Sequence, residues 1–199
     1  ITTIKERIAS LNQASFQILC DSYLSKEGYP NIVALGTKSG AQKTTPGTPD
    51  TYFFVEEKYI FVEYTTQQNS LVAKIEDDLN KCLDESITGI PIADIGEIIY
   101  CHTSSNIFPR DDKKFRDRCE ALGIKLTILG IDVLSEQLLN KYPKLVKDHL
   151  GLTIDTEQIQ KADDFISQYN ANGLAAPLDT PFLFREKEFE EIGNALANK

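Results

Sequence analysis

Closely spaced cysteines are missing from this 199-residue chain, and their absence argues against a zinc-binding or disulfide-stapled fold. The sequence has no C-x-x-C motif and no cysteine–histidine ligand spacing. Its four cysteines stand far apart, at Cys20, Cys82, Cys101 and Cys119. We therefore predict four reduced, mostly buried thiols in a cytoplasmic protein.

Long apolar runs are missing as well. No stretch of about eighteen or more apolar residues occurs, which argues against a membrane-spanning helix. The N-terminus also lacks the charged and then apolar pattern of a secretory signal. We expect a soluble protein that is not exported and has no membrane partner.

Positive charge is scarce. The chain has 21 Lys and Arg against 30 Asp and Glu, which gives a formal net charge of −9 at pH 7. Such a chain is not expected to wrap nucleic acid over its whole surface. Much of the negative charge falls in the C-terminal quarter, so the rest of the chain can still form a local basic cleft.

A β-hairpin is predicted between residues 46 and 68, and the rest of the chain is organised around it. Thr51 to Val55 and Tyr59 to Thr65 are rich in aromatic and β-branched residues, and only the polar triplet Glu56-Glu57-Lys58 separates them. Asp50 precedes the first strand, after a Pro-Gly-Thr-Pro turn, and Glu63 lies near the end of the second. The hairpin is therefore expected to bring these two carboxylates to the same end of the sheet.

Glu63 stands on an apolar strand, between Val62 and Tyr64. Side chains along a strand alternate between its two faces, so Glu63 is expected to face away from both neighbours. The alternation places Glu63, Thr65 and Gln67 on one face and Ile60, Val62 and Tyr64 on the other. Half-burying a carboxylate is costly without a compensating charge, and a divalent cation would supply one.

The arrangement resembles the PD-(D/E)XK nuclease superfamily, whose signature is an Asp at the start of one strand and an acid-x-Lys on the next. Here Pro49-Asp50 is followed, after twelve residues, by Glu63-Tyr64-Thr65. Thr65 thus stands where the superfamily has its lysine. The resemblance covers roughly residues 10 to 130. It implies Mg²⁺ or Mn²⁺ held by Asp50, Glu63 and the Tyr64 carbonyl, hydrolysis of double-stranded DNA, and a homo-oligomer on activation.

Without a lysine at Thr65, another residue must take over its role in such a nuclease. The candidates are Gln67, two residues further along, Lys74, one turn into the predicted helix Leu71 to Leu83, and a lysine of the loop before Asp50. Without such a substitute the domain would be slow or inactive. Lys74 has an alternative role, because Asp78 lies four residues further on and the two can form an ordinary surface ion pair. The same helix pattern places Asp78 among the polar residues, away from the apolar stripe.

Two further candidates come from other segments. Gln17, on the predicted first long helix, resembles the acid or glutamine that leans toward the metal in this superfamily, although a surface glutamine is an equal alternative. The loop from Gly36 to Gly47 carries Lys38 and Lys43, which could meet DNA phosphates. The alternative for this loop is a plain linker between strands.

The order of predicted elements indicates an α/β fold. Strand and helix patterns alternate after the hairpin, which requires crossover connections and a mixed sheet with a parallel part. His102, at a strand end, is predicted to be a hydrogen-bonded structural residue. The remaining predicted strands are Asn31 to Leu35, Gly96 to His102 and Ile124 to Leu129. The remaining predicted helices are Ile4 to Ile8, Leu11 to Leu24, Asp111 to Leu122, Ile131 to Asn140 and a short helix that follows Tyr142-Pro143 and contains His149.

Three parts are expected along the chain. Residues 1–151 form the nuclease-like domain, with a restriction-endonuclease-like mixed central sheet flanked by helices. Residues 152–180 form a helical connector and a Gly/Pro/Asn linker. Residues 181–199 contain Phe184-Arg185-Glu186-Lys187-Glu188, which resembles the entry to a STAND-type P-loop NTPase module. The start without methionine and the end within an apparent helix suggest a piece of a longer protein.

Together these features predict a metal-dependent DNA endonuclease, the effector domain of an antiviral STAND ATPase. The alternative is a catalytically degenerate nuclease fold that serves as a binding or assembly module. In that case Asp50 caps the turn after Pro49, and Glu63 pairs with a lysine. The missing lysine at Thr65 favours this alternative.

Overall fold

The computed structural model describes residues 1–29, 32–34, 48–104 and 107–154. All of these belong to one compact unit, Ile1–Ile154, and a second unit spans Asp155–Lys199. The second unit lies outside the described residues, and so do Lys38 and Lys43. The predictions for the DNA-binding loop, for most of the 152–180 connector and for the 181–199 segment therefore stay predictions.

Two helices and then three strands come first in the described chain, and helices and strands alternate after them. They run in the order α1 (Thr2–Ala9), α2 (Gln13–Lys26), β1 (Val33–Ala34), β2 (Thr51–Val55), β3 (Lys58–Thr65), α3 (Leu71–Cys82), α4 (Glu85–Thr88), a 3-10 turn (Ile92–Asp94), β4 (Ile95–His102), α5 (Pro109–Glu120), β5 (Lys125–Leu129), α6 (Ile131–Lys141) and α7 (Pro143–Leu150). The predicted elements are present with small shifts at their ends, and α4 and the 3-10 turn were not predicted.

The five strands form one mixed sheet in the order β1-β2-β3-β4-β5. Strands β1, β2 and β3 pair antiparallel, whereas β3, β4 and β5 pair parallel. The parallel pairs need crossovers, which α3 and α5 supply on the way from β3 to β4 and from β4 to β5. The α/β class and the mixed sheet are confirmed.

The hairpin between β2 and β3 is tighter than predicted. Lys58 is the first residue of β3 and pairs with Val55, so only Glu56 and Glu57 form the turn. Both turn residues have positive φ, 51° and 62°. Two consecutive left-handed residues match the twist of the flanking strands, although asparagine and glycine are the residues that adopt this turn at least cost.

Two apolar layers cover the sheet, one on each face. Ile60, Val62 and Tyr64 of β3 join one layer, together with residues of α1, α2, α6 and α7. Phe61 joins the other layer, with residues of α3 and α5. The predicted alternation of β3 is therefore confirmed, and Glu63 points toward the α3 layer.

The prediction for one face of α3 was wrong. Leu71, Ile75 and Leu79 are buried as expected, but Cys82 takes the place expected of Leu83, which is half-buried, and Asp78 is buried with them. The physical reason is the helical repeat: Asp78 lies seven residues after Leu71 and four before Cys82, and both of these residues point at the sheet. An acid thus occupies an inward-facing position of this helix.

No helix within the described ranges is long and apolar enough to cross a membrane. His102, at the end of β4, is almost fully buried, and its Nδ1 lies 3.1 Å from the Ser104 carbonyl oxygen. Burial lowers the pKa of this imidazole. The interpretation of His102 as a hydrogen-bonded structural residue fits these contacts.

Candidate functional site

The candidate site lies where β2 begins beside the end of β3. Asp50 immediately precedes β2, and its Oδ2 accepts a hydrogen bond of 3.1 Å from the Tyr64 backbone N–H. This bond ties the Asp50 carboxylate to the β3 backbone next to Glu63. The hairpin therefore brings the two acids together, in the way that their positions in the sequence predict.

Glu63 is a buried acid that no cation contacts in the described part of the chain. It is 5% exposed, and its Oε1 accepts a hydrogen bond from Cys82 Sγ at 3.4 Å. A thiol is only a weak donor. Burial, and then the charges of Asp50 and Asp78, raise the pKa of Glu63 to about 9, against the opposing effect of Cys82 and Lys74.

Asp78 is a second buried acid on this side of the sheet, and it has strong partners. Its Oδ1 lies 2.6 Å from Lys74 Nζ, and its Oδ2 accepts a hydrogen bond of 2.8 Å from the Tyr100 hydroxyl. Tyr100 lies on β4, directly beside Glu63 on β3. The ammonium of Lys74 thus sits at the edge of a cluster formed by Asp50, Glu63 and Asp78.

Asp50 completes the cluster at its outer side. Burial raises the pKa of Asp50, and the charge of Asp78 raises it further, whereas the Tyr64 N–H, Glu63 and Lys74 lower it. Each carboxylate of the Asp50–Glu63 pair thus lies in surroundings that disfavour its ionised form. Strongly shifted pKa values of this kind are typical of functional sites, because burial there is combined with nearby like charges.

A second polar network lies on the α2 side of the same strand. Gln17 is fully buried, and its Nε2 donates to Thr51 Oγ1 at 3.1 Å and to the Asp50 carbonyl oxygen at 3.5 Å. The Tyr64 hydroxyl donates to Asp21 Oδ1. Burial and the charge of Asp50 raise the pKa of Asp21 to about 6, against the hydrogen bonds from Tyr64 and Thr51. Gln17 is therefore part of the site's support, and the surface alternative for it is wrong.

The Gln17 Oε1 atom has no hydrogen-bond partner among the described residues, although it is buried. A buried polar atom without a partner is costly, and such atoms are rare in folded proteins. Gln13 contributes to the same edge of the sheet: its Nε2 donates to the Tyr64 carbonyl oxygen at 2.6 Å. The backbone oxygen predicted to bind a metal ion therefore already accepts a hydrogen bond.

Thr65 and Gln67 do not supply the positive charge that a lysine would provide. Thr65 is buried, and its Oγ1 accepts a hydrogen bond of 3.1 Å from the Gln67 backbone N–H. The Gln67 side chain is exposed and donates to the Asn69 carbonyl oxygen. Of the candidates to replace the lysine that lie in the described residues, Lys74 is the one near the acids, and the loop lysines Lys38 and Lys43 lie outside those residues.

A divalent cation fits the chemistry of the Asp50–Glu63 pair. No group of three acidic, histidine or cysteine side chains in the described ranges is placed to hold one ion. The fit rests instead on two neighbouring carboxylates whose pKa values are raised by burial and by the nearby acids. Magnesium prefers a few carboxylates and keeps several waters, so two carboxylates are a sufficient protein contribution.

Sequence reasoning missed four residues of this region: Asp21, Asp78, Cys82 and Tyr100. Asp78 carried a signal, because its spacing from Leu71 and Cys82 assigns it to the buried stripe. Asp21 carried a weaker one, since it lies one helical turn after Gln17. Tyr100 carried none, because its contact with Asp78 depends on how β4 pairs with β3.

Comparisons of the chain with known protein families, with curated proteins and with solved structures find no match.

Proposed function

We propose that this domain is a metal-dependent phosphodiesterase, a DNA endonuclease with a restriction-endonuclease-like fold. The observation that carries the proposal is Glu63: it is buried beside Asp50 and Asp78, its pKa is raised to about 9, and it accepts a hydrogen bond from the weak donor Cys82. Folding a carboxylate into such a place destabilises a protein unless a cation binds there. Mg²⁺ or Mn²⁺ is the cation that oxygen ligands favour.

The roles of the residues follow from their contacts. Asp50 and Glu63 would hold the cation, which would polarise a phosphate and lower the pKa of an attacking water. The Tyr64 N–H holds the Asp50 carboxylate in place, and Gln17 and Thr51 fix the backbone at the start of β2. Lys74 would supply the fixed positive charge that stabilises charge developing on the phosphate.

The wider setting is a proposal that rests on sequence resemblance alone. We propose double-stranded DNA as the substrate, a STAND NTPase module beginning near residue 181 as the C-terminal neighbour, and a cytoplasmic role in antiviral defence. Assembly into a homo-oligomer would let two such sites act on both DNA strands. Lys38 and Lys43 are proposed to contact the phosphates.

A catalytically degenerate fold that serves as a binding or assembly module is the second candidate. It is favoured by Thr65, which offers a hydroxyl where a charge is expected, and by the ion pair that holds Lys74 on Asp78. In such a module the Asp50–Glu63 pair would have no metal ion to bind. The two candidates therefore differ in a property that can be measured without any substrate.

The deciding experiment is a calorimetric titration of the 199-residue chain with Mn²⁺, followed by plasmid cleavage in Mn²⁺ or Mg²⁺. The nuclease proposal expects Glu63→Gln and Asp50→Asn each to weaken Mn²⁺ binding at least about tenfold and to abolish nicking. Glu97→Gln is the matched control, because Glu97 is another buried acid, paired with Lys125 at 2.8 Å on the far side of the sheet. Binding that is absent, or unchanged in both variants, would support the degenerate fold.

A further inference from the structure

The ion pair between Lys74 and Asp78 differs in burial from two other four-residue pairs on the described helices. The pairs Lys81–Asp77 and Lys113–Asp117 have the same four-residue spacing, and their side chains are 40% and 58%, and 73% and 55% exposed. In the Lys74–Asp78 pair the lysine is 32% exposed, but the acid is only 4% exposed. A surface ion pair of the ordinary kind does not require its acid to be buried.

Burying Asp78 has a cost that packing does not explain. Its position on α3 lies between Ile75 and Cys82 on the inward face, where an apolar side chain would stabilise the fold. The Asp78 carboxylate also raises the pKa of Asp50 and of Glu63, so the ionised forms of these two acids are further disfavoured. Asp78 nevertheless has several partners: Lys74 at 2.6 Å and Lys81 at 3.9 Å lie on one oxygen, and the Tyr100 hydroxyl donates to the other.

The anchor of this arrangement is rigid. Tyr100 is fully buried toward the C-terminal end of β4, and its neighbour on β3 is Glu63. The Tyr100 hydroxyl therefore fixes Asp78 relative to Glu63, and Asp78 fixes the Lys74 ammonium. An ammonium carries three N–H donors, and the pair with Asp78 engages one of them.

We infer that Tyr100 and Asp78 are positioning residues that hold the Lys74 ammonium beside the Asp50–Glu63 pair, where it takes the place of the lysine that Thr65 replaces. This inference rests on the proposed phosphodiesterase function. The free N–H donors of Lys74 would contact a phosphate oxygen or the attacking water. The ion pair with Asp78 then orients the Lys74 ammonium. From the sequence alone, the same ion pair was the alternative to a catalytic role for Lys74.

Plasmid-cleavage kinetics of a double-mutant cycle test the inference. Lys74→Gln should lower kcat about 100-fold, as expected for the loss of one charge-stabilising donor. Asp78→Asn should lower kcat about tenfold, and Lys74→Arg should retain more activity than Lys74→Gln. If Asp78 acts through Lys74, the double variant is no slower than Lys74→Gln. Losses that multiply in the double variant would overturn the inference.

Mn²⁺ titration provides a second readout that needs no turnover. Removing the positive charge in Lys74→Gln should tighten Mn²⁺ binding about fivefold, whereas removing the negative charge in Asp78→Asn should weaken it by a similar factor. If Lys74 and Asp78 only stabilise the fold, both variants should bind Mn²⁺ more weakly, and that result would overturn the inference. Lys113→Gln, which breaks an exposed pair on α5, should leave the affinity unchanged.

The outcomes separate this inference from the proposed function. If wild-type protein binds no Mn²⁺, or if Glu63→Gln binds it normally, the proposed function fails and the inference fails with it. If Glu63→Gln abolishes binding while the Lys74 and Asp78 variants behave like wild type, only the positioning inference fails. Tyr100→Phe should resemble a weaker Asp78→Asn, since it removes the hydroxyl and leaves the ring in place.

Discussion

Replacing Glu63 with glutamine should stabilise the metal-free protein at neutral and alkaline pH. Folding raises the pKa of this carboxyl from 4.5 to about 9 because the side chain is buried beside two acids. Its contribution to stability is therefore fully present below 4.5 and is lost as the pH rises toward about 9. At about pH 7 the folded state must take up a proton that the unfolded state has released, which costs about 3 kcal/mol.

Glutamine has the shape of the protonated glutamic acid, and it does not ionise. The free energy of unfolding of Glu63→Gln should exceed that of wild type by about 3 kcal/mol at about pH 7, and the difference should change by about 1.4 kcal/mol per pH unit. It should vanish below a pH of about 4.5. The raised pKa of Asp21 acts in the same direction in both proteins and therefore cancels in the difference.

Urea denaturation followed by circular dichroism, at a series of pH values and with a metal chelator present, measures this difference. Glu97→Gln is the control, because Glu97 accepts from Thr127 at 2.6 Å and pairs with Lys125, so its loss should destabilise by about 1–3 kcal/mol. A Glu63→Gln variant that is less stable than wild type, or a difference that stays constant with pH, would refute the reasoning. Added Mn²⁺ should stabilise wild type and reduce the difference.

Three further outcomes are expected. Glu56→Asn combined with Glu57→Gly should raise the midpoint of thermal unfolding and stabilise by about 1 kcal/mol, since both turn residues have positive φ; a lower midpoint would contradict the turn geometry. Ile75→Ala should cost about 2–5 kcal/mol in urea unfolding, because Ile75 is fully buried between α3 and the sheet; a loss under about 1 kcal/mol would contradict that packing. The four buried cysteines should react with a thiol reagent only after denaturant is added, and rapid labelling of the native protein would contradict their burial.

The sequence was most informative where structure is local. The β2–β3 hairpin and the alternation of β3 follow from residue types a few positions apart, so Asp50 and Glu63 could be placed together before any coordinates were known. The rhythm of strand and helix after Thr65 predicted the parallel half of the sheet for the same reason. Even here the turn was misjudged by one residue, because Glu56-Glu57 lacks the asparagine or glycine that normally signals a two-residue turn.

The sequence was least informative where a residue's role depends on a distant partner. Asp78 was assigned to the polar side of α3, and its burial depends on the Tyr100 hydroxyl from β4 as well as on the nearby Lys74. The contact between Asp21 and the Tyr64 hydroxyl likewise joins α2 to β3 across 43 positions of sequence. Such pairs are properties of the packed sheet, and no local pattern encodes them.

The alternation of β3 also bears on how the chain avoids misfolding. If β3 slipped by one residue against its neighbours, Glu63 would enter the apolar layer formed with α1, α2, α6 and α7, and Tyr64 would leave it. Such a slip would bury the Glu63 carboxylate among apolar side chains and break the hydrogen bond from the Tyr64 N–H to Asp50. Asp50 and Glu63 lower the stability of the native sheet, but they would destabilise the shifted sheet more. We therefore expect these acids to favour the correct register of the strands.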